Sequence, residues 1–183
     1  LLILSAALLS PALAQASDLD MTVRSGGAAS VTVAPGEAVN YEVIGELSDA
    51  LNEGLGYFRC DLEFDGGPLN AANNPSSAPM LNFARPLGLT NPAGYGGTAV
   101  GAKLIQVGGA QNTINNVFAA APTGAVIAGI AKKNSPQTLI TGTLNAPVKV
   151  GTYTLALTNL DANLIRQGET GVPFWHCDQA GNG

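Results

Sequence analysis

The chain has 183 residues, of which 46% are hydrophobic, 11% are charged and only 5% are aromatic. That composition excludes a coiled coil, a charge-rich disordered tail and a disulfide-dense miniprotein, and the length suits one domain that buries its own core. The formal net charge of −5 argues against a nucleic-acid partner, because phosphate contacts need clustered Lys and Arg.

An apolar run opens the chain at Leu1–Leu9, and two small-x-small tripeptides follow at Ala12–Ala14 and Ala14–Ala16. This arrangement is typical of a signal peptide, and the run is too short for a bilayer, which takes about 20 apolar residues to cross. We therefore expect residues 1–16 to be an N-terminally truncated signal peptide, with no membrane span in the sequence seen. The protein is then secreted, extracellular or on the cell surface. A retained amphipathic anchor is the alternative, although no basic face accompanies the run.

The first strand signals are alternating apolar residues at Ser30–Ala34 and again at Val39–Val43, with a Pro35-Gly36 turn between them. The clearest signal is Leu55–Phe64, where Phe58, Cys60, Leu62 and Phe64 alternate with Arg59, Asp61 and Glu63. Further strands are predicted at Gly124–Ala131, Leu139–Leu144, Gly151–Thr158 and Val172–Cys177.

Period-two strands separated by turn residues predict an all-β fold, namely an antiparallel β-sandwich over residues 17–178. Helix signals are limited to one or two short helices in loops, at Leu47–Leu51 and Asn112–Pro122. Residues 179–183 show neither a helix cap nor a strand pattern, and we expect them to begin a linker or a truncated C-terminal region.

The two cysteines, Cys60 and Cys177, form an even pair in a chain that we expect to be exported to a disulfide-permitting compartment. A bridge between them would close a very long loop, which the chain-entropy model values at about 4–5 kcal/mol. We expect that disulfide, and two unpaired thiols, one of them buried, are the alternative. Zinc is disfavoured because a zinc site needs three or four ligands. His176 is the only further soft ligand, and its position directly before Cys177 in the sequence is unfavourable for joint coordination.

Three carboxylates, Asp61, Glu63 and Asp65, lie on the polar face of the Leu55–Phe64 strand, with neighbouring Cα atoms about 6.6 Å apart. They are candidates for a calcium site, and Asp61 with Glu63 has the spacing of an acid and base in a glycosidase. A solvated strand face explains the same pattern. Asn159–Asn163 has the alternating oxygens of a calcium loop but lacks its glycine and its last acid, so an Asx-rich turn is predicted there.

No residue is assigned a catalytic role from the sequence. His176 is the only histidine, no G-x-S-x-G elbow is present, and the Gly-rich segments lack the Lys-Ser/Thr of a phosphate-binding loop. No cofactor is therefore expected. The candidates for a ligand-stacking surface are Tyr57 on the polar strand face, Tyr95 in a glycine loop and Trp175, and for each of them packing is the alternative.

Three segments together resemble a known superfamily: Val31–Glu37, Gly54–Asp65 and Gly151–Leu164. Their order and their sequence motifs are similar to those of the cohesin-like and carbohydrate-binding-module β-sandwich superfamily of secreted bacterial proteins. The resemblance implies a jelly-roll-like sandwich of about nine strands, without catalysis, that binds a dockerin-like protein module or polysaccharide, or serves as a surface building block. The Ala/Asn/Gly-rich stretch Asn70–Ala121 and the cysteine pair depart from that pattern, so no binding residue is transferred.

The leading functional hypothesis is a non-enzymatic secreted or surface module for protein interaction, adhesion or envelope scaffolding. A polysaccharide-binding module is the first alternative, and it depends on exposed aromatic rings. A fragment of a glycoside hydrolase that uses Asp61 and Glu63 is the second.

Overall fold

A computed structural model describes residues 19–48, 50, 54–73, 80, 96–110, 129–166 and 176–179. The expected signal peptide at residues 1–16, the expected helix at Asn112–Pro122, and the ring candidates Tyr95 and Trp175 lie outside the described residues. Within the described segments, no helix is both long and apolar enough to pass through a bilayer.

The described residues form eight strands that pair only in antiparallel fashion. In chain order they are β1 (Leu19–Arg24), β2 (Ala38–Leu47), β3 (Gly54–Phe64), β4 (Gly96–Val100), β5 (Lys103–Ala110), β6 (Gln137–Asn145), β7 (Leu155–Arg166) and β8 (His176–Gln179). The small sheet has the order β1-β2-β6, and the large sheet has the order β4-β5-β3-β7-β8. The expected all-β class is confirmed for this part of the chain.

Buried side chains from the two sheets belong to one hydrophobic cluster. The small sheet supplies residues that include Tyr41, Val43 and Ile140, and the alternation predicted for β3 is confirmed because Phe58, Cys60, Leu62 and Phe64 are all buried. Leu62 faces Leu157 across the β3–β7 ladder, and Phe64 packs against Tyr153 with ring centroids 6.4 Å apart.

The segment Leu69–Asn73 links the two sheets at their edges. The Ala72 N–H donates to the Gly96 carbonyl of β4 at 2.8 Å, and the Asn73 N–H donates to the Thr141 carbonyl of β6 at 2.8 Å. Leu69 and Ala72 are buried in the same core cluster. One short segment therefore covers part of an open edge of each sheet.

Several strand predictions need correction. Ser30–Ala34 is not a strand and pairs with none of the described strands, and both edges of β2, the next strand in the chain, are taken by β1 and β6. Gly129–Ala131 is a turn, and the earlier residues of that predicted strand lie outside the described ones. The strand predicted to begin at Gly151 begins at Leu155, and it continues to Arg166 through the segment where a turn was expected.

Cys60 is a free, fully buried thiol, so the expected disulfide with Cys177 is not formed in this structure. The strand register explains why. Cys177 pairs with Ile165, which pairs with Gly54 at the start of β3. Cys60 lies about 20 Å further along β3 at the usual rise per residue, whereas bridged cysteines have Cα atoms within about 7 Å.

Burial shifts two ionisable groups of the core. It raises the pKa of the Cys60 thiol to about 12, with a smaller contribution from the Asp61 charge. It likewise raises the pKa of Tyr41 to about 12, with the neighbouring Cys60 contributing less. Since Tyr41 belongs to the small sheet and Cys60 to the large one, the two groups meet inside the common core.

We expect the free energy of unfolding to fall as the pH rises from about 9 towards 12. In the unfolded chain Cys60 and Tyr41 release protons near their ordinary pKa values of 9.0 and 10.0, whereas the folded chain retains them until about 12. Urea titrations at pH 7, 9 and 10.5, in a Cys177→Ser background with Cys60 as the only thiol, measure the decline. In Cys60→Ala the free energy of unfolding, taken relative to that variant's own value at pH 7, should fall less steeply with pH. An equal fall in both proteins would contradict a contribution from the raised pKa of Cys60.

Candidate functional site

A polar cleft of about 550 Å³ opens on the outer face of the large sheet. Three adjacent strands line it: β3 supplies Arg59 and Asp61, β5 supplies two residues, and β7 supplies three. The full lining is Arg59, Asp61, Ile105, Gln106, Asn159, Leu160 and Asp161, and we call it the Asp61 cleft. Its volume falls within the range of small-ligand sites.

The cleft exists because both strands beside β3 bulge at the same level. On β5, the partners of Cys60 and Leu62 are Val107 and Leu104, which are three residues apart instead of two. On β7, the partners of Arg59 and Asp61 are Asp161 and Thr158, again three apart. Each flanking strand therefore has one extra residue, on β5 opposite Asp61 and on β7 opposite Cys60, the residue before it. A bulge bends its strand and redirects the nearby side chains.

Each bulge contains a non-glycine residue in the left-handed region, Gln106 with φ of 59° and Asn159 with φ of 51°. Such a backbone costs on the order of 1 kcal/mol or more, less for asparagine than for most residues, and it persists only where its surroundings hold it. The local sequence alone does not account for Gln106.

The Asp61 carboxylate holds both bulges. Its Oδ1 accepts a hydrogen bond from the Gln106 backbone N–H at 2.8 Å, and its Oδ2 accepts one from Asn159 Nδ2 at 2.6 Å. Hydrogen bonds to an ionised acceptor are roughly twice as strong as neutral ones. One side chain on the central strand therefore fixes the conformation of both neighbouring strands.

A second polar group adjoins the first. Arg59 and Asp161 are register partners and form an ion pair at 3.4 Å, with 28% and 30% of their side chains exposed. The Tyr57 hydroxyl donates a hydrogen bond to the Asp161 side chain. Burial, opposed by the Arg59 charge and aided by Asp161, raises the pKa of Tyr57 to about 12.

Tyr57 shares the polar strand face as expected, but only 1% of it is exposed. A stacking surface needs an accessible ring face, so for Tyr57 the packing alternative describes the structure. The tyrosine instead supports Asp161 from within the structure. Tyr95 and Trp175, the other two ring candidates, lie outside the described residues.

The three carboxylates predicted as calcium ligands do not converge. Asp61 accepts from both bulges, Glu63 pairs with Lys103 at 3.0 Å, and Asp65 accepts the Thr154 backbone N–H at 2.7 Å. Among the described residues no group of three or more potential ligands is gathered for a metal ion. The alternation that places acids two residues apart on one face gives each of them a different cross-strand neighbour instead of a shared centre.

Three residues of the cleft were not predicted as site residues, namely Gln106, Asn159 and Leu160. The amino-acid sequence nevertheless contains a signal for the two bulges. Leu104 and Val107 are both fully buried but three residues apart, which breaks the period of two. Leu157 and Leu160, which both pack against the core, show the same break in β7. An extra residue inside an otherwise alternating strand is what a bulge requires.

One buried polar atom near Asp61 lacks a partner. Thr158 is the register partner of Asp61, and its Oγ1 is buried without a hydrogen-bond partner in the part of the chain that the structure describes. An unsatisfied buried hydroxyl costs about 1–3 kcal/mol. Thr158 is therefore a place where the β7 bulge lowers stability.

Asp61→Asn should destabilise the fold by about 2–3 kcal/mol, because the amide cannot accept both hydrogen bonds and loses the charge that strengthens them. The matched control is Glu63→Gln, two residues away on the same face. That variant loses only an ion pair whose members are 46% and 42% exposed, so it should change stability by less than about 1 kcal/mol. Urea unfolding at pH 7 measures both, and equal effects would mean that Asp61 does not hold the bulges.

Thr158→Val should leave stability unchanged or raise it by about 1 kcal/mol, because a methyl group of the same shape replaces the unsatisfied hydroxyl. Thr138→Val is the contrasting variant, since the Thr138 hydroxyl donates to Glu42 Oε2 at 3.0 Å and its loss should destabilise. Thermal unfolding of the two variants distinguishes an unsatisfied hydroxyl from a hydrogen-bonded one. A marked loss of stability in Thr158→Val would show that its hydroxyl has a partner after all.

No protein-family model, no curated protein and no solved structure matches this chain. We therefore infer function from the chemistry of the Asp61 cleft and from the sequence.

Proposed function

We propose that this protein is a non-enzymatic, exported β-sandwich module that binds another macromolecule at the Asp61 cleft. The sandwich, jelly-roll-like and of about nine strands, is inferred because both sheets contribute to one buried cluster. Export and a secreted or cell-surface location are inferred from the apolar run and small-residue sites within residues 1–16.

The cleft is the observation that carries the proposal. It is held open by the Asp61 hydrogen bonds, and it places Ile105 and Leu160 beside the charged and amide groups of its lining. Protein interaction surfaces commonly combine apolar contacts with a polar rim, and a preformed site lowers the entropy cost of binding. The side chains that line the cleft are held on strands, so they form a preformed site for a binding partner.

Binding is a better account of this cleft than catalysis. Both oxygens of Asp61 already accept hydrogen bonds, Asp161 is paired with Arg59, and Glu63 is paired with Lys103. A general acid needs an environment that raises its pKa and a route for its proton to the substrate. These carboxylates act instead as acceptors that hold the structure, so we do not propose the hydrolase alternative.

The preferred partner is a protein module, such as a dockerin-like domain, and polysaccharide is the second candidate. The observation that favours polysaccharide is the lining itself, because carboxylate, guanidinium and amide groups offer both donors and acceptors to sugar hydroxyls. Against it, Tyr57 is buried and does not offer the ring that sugar stacking requires.

A photo-crosslinking side chain at Ile105, inside the cleft, should capture a defined partner from the envelope of the organism that makes the protein. The same probe at Val100, which is 54% exposed on β4 and does not line the cleft, is the matched control. An adduct that appears only with the Ile105 probe, and that Asp161→Ala diminishes, supports the proposal. Sensitivity of the adduct to protease or to glycosidases then separates the two partner classes, and equal labelling from both positions would refute a role for the cleft.

A further inference from the structure

The segment Ser30–Ala34 has the sequence of a strand but no strand partner among the described residues. It lies between a tight turn at Ser25–Ala28 and a second turn, in which the Glu37 N–H donates to the Ala34 carbonyl at 3.1 Å. It contains neither a turn nor a bend, and the backbone groups of residues 30–33 make no hydrogen bond with any described residue. Unpaired, strand-forming backbone of this kind is a template for another strand.

Both ends of this segment are fastened to the fold. Ser25 and Ala28 exchange two backbone hydrogen bonds of 2.9 and 3.0 Å. At the other end the Ala34 N–H donates to Glu37 Oε2 at 2.9 Å, and the Gly36 N–H donates to the Ala146 carbonyl at 3.0 Å. A segment held at both ends loses little conformational freedom on pairing, which favours association.

Its side chains suit a second copy of the same segment. Val31 and Val33 alternate with Thr32 and are 43% and 36% exposed, and no charged residue lies between Arg24 and Glu37. In an antiparallel pair centred on Thr32, each Val31 faces the Val33 of the other copy, and the two Thr32 residues face each other. Apolar residues then meet apolar residues, and no like charges are opposed.

The existing hydrogen bonds select which backbone groups can pair. Pairing through Val31 and Val33 uses the N–H and C=O groups of those two residues and gives four hydrogen bonds across the twofold axis. The alternative edge would need the N–H and C=O of Ala34, and both already bond to Glu37. The geometry therefore points to the edge that Val31 and Val33 present.

We propose that two copies of this chain associate through antiparallel pairing of Ser30–Ala34, centred on Thr32. The contact is isologous, so it closes at a dimer and does not propagate. Two five-residue segments bury much less than the roughly 1,200 Å² of a stable interface, so the dimer is weak and forms at high local concentration. This inference does not depend on the Asp61 cleft, which lies on the other sheet.

Sedimentation velocity of the full chain, between about 10 µM and 1 mM, tests the proposal. The wild type should shift from monomer towards dimer across that range. Val31→Pro removes a donor that the pairing needs and should weaken association at least about tenfold. Thr32→Pro is the matched control, because the Thr32 N–H points away from the partner in this register, and it should stay within about threefold of the wild type.

A pair of charge variants and one cross-link complete the test. Val31→Lys/Val33→Lys should abolish the dimer, whereas Val148→Lys/Val150→Lys, which makes the same charge change at residues 85% and 84% exposed, should not. Thr32→Cys should form a disulfide-linked dimer on oxidation. In this register the two residues at position 32 form a non-hydrogen-bonded pair, whose Cα atoms lie about 4.5 Å apart. A chain that stays monomeric at 1 mM, or a dimer that survives Val31→Lys/Val33→Lys, would overturn the proposal.

Discussion

A single carboxylate determines the shape of the large sheet. Asp61 lies on the central strand, and its two oxygens accept hydrogen bonds from Gln106 on one side and Asn159 on the other. Each bulge contains a residue with left-handed backbone, which is costly, and the Asp61 carboxylate accepts a hydrogen bond from each of these two residues. The cleft beside the bulges is therefore tied to contacts made between strands of the sheet itself.

The sequence predicted those parts of the fold in which burial alternates along a strand. The inner face of β3 and the strands at Val39–Val43 and Leu139–Leu144 follow from that pattern, because a sheet buries one face and hydrates the other. It failed for Ser30–Ala34, since alternation reports the propensity of a segment but not whether a neighbouring strand edge is free to receive it. Pairing is a property of the assembled sheet.

The site was harder to predict than the fold for a related physical reason. Asp61 was one of three candidates for a calcium site, with a solvated strand face as the alternative. Whether neighbouring acids converge is decided by the residues across the ladder, here Lys103 for Glu63 and the two bulges for Asp61. The free thiol of Cys60 illustrates the same limit, because an even count of cysteines carries no information about register. In both cases the missing quantity was which residues face each other.

The unpaired thiol at Cys60 constrains how the molecule reaches its native state. It lies in the middle of β3 and is sealed only when the flanking strands and the opposing sheet are in place. In a newly made chain that thiol is accessible to oxidants and to other thiols, and a mixed adduct there would be too bulky for the core to close over it. The proposed export to an oxidising compartment would therefore require the strands around Cys60 to dock before its thiol is oxidised.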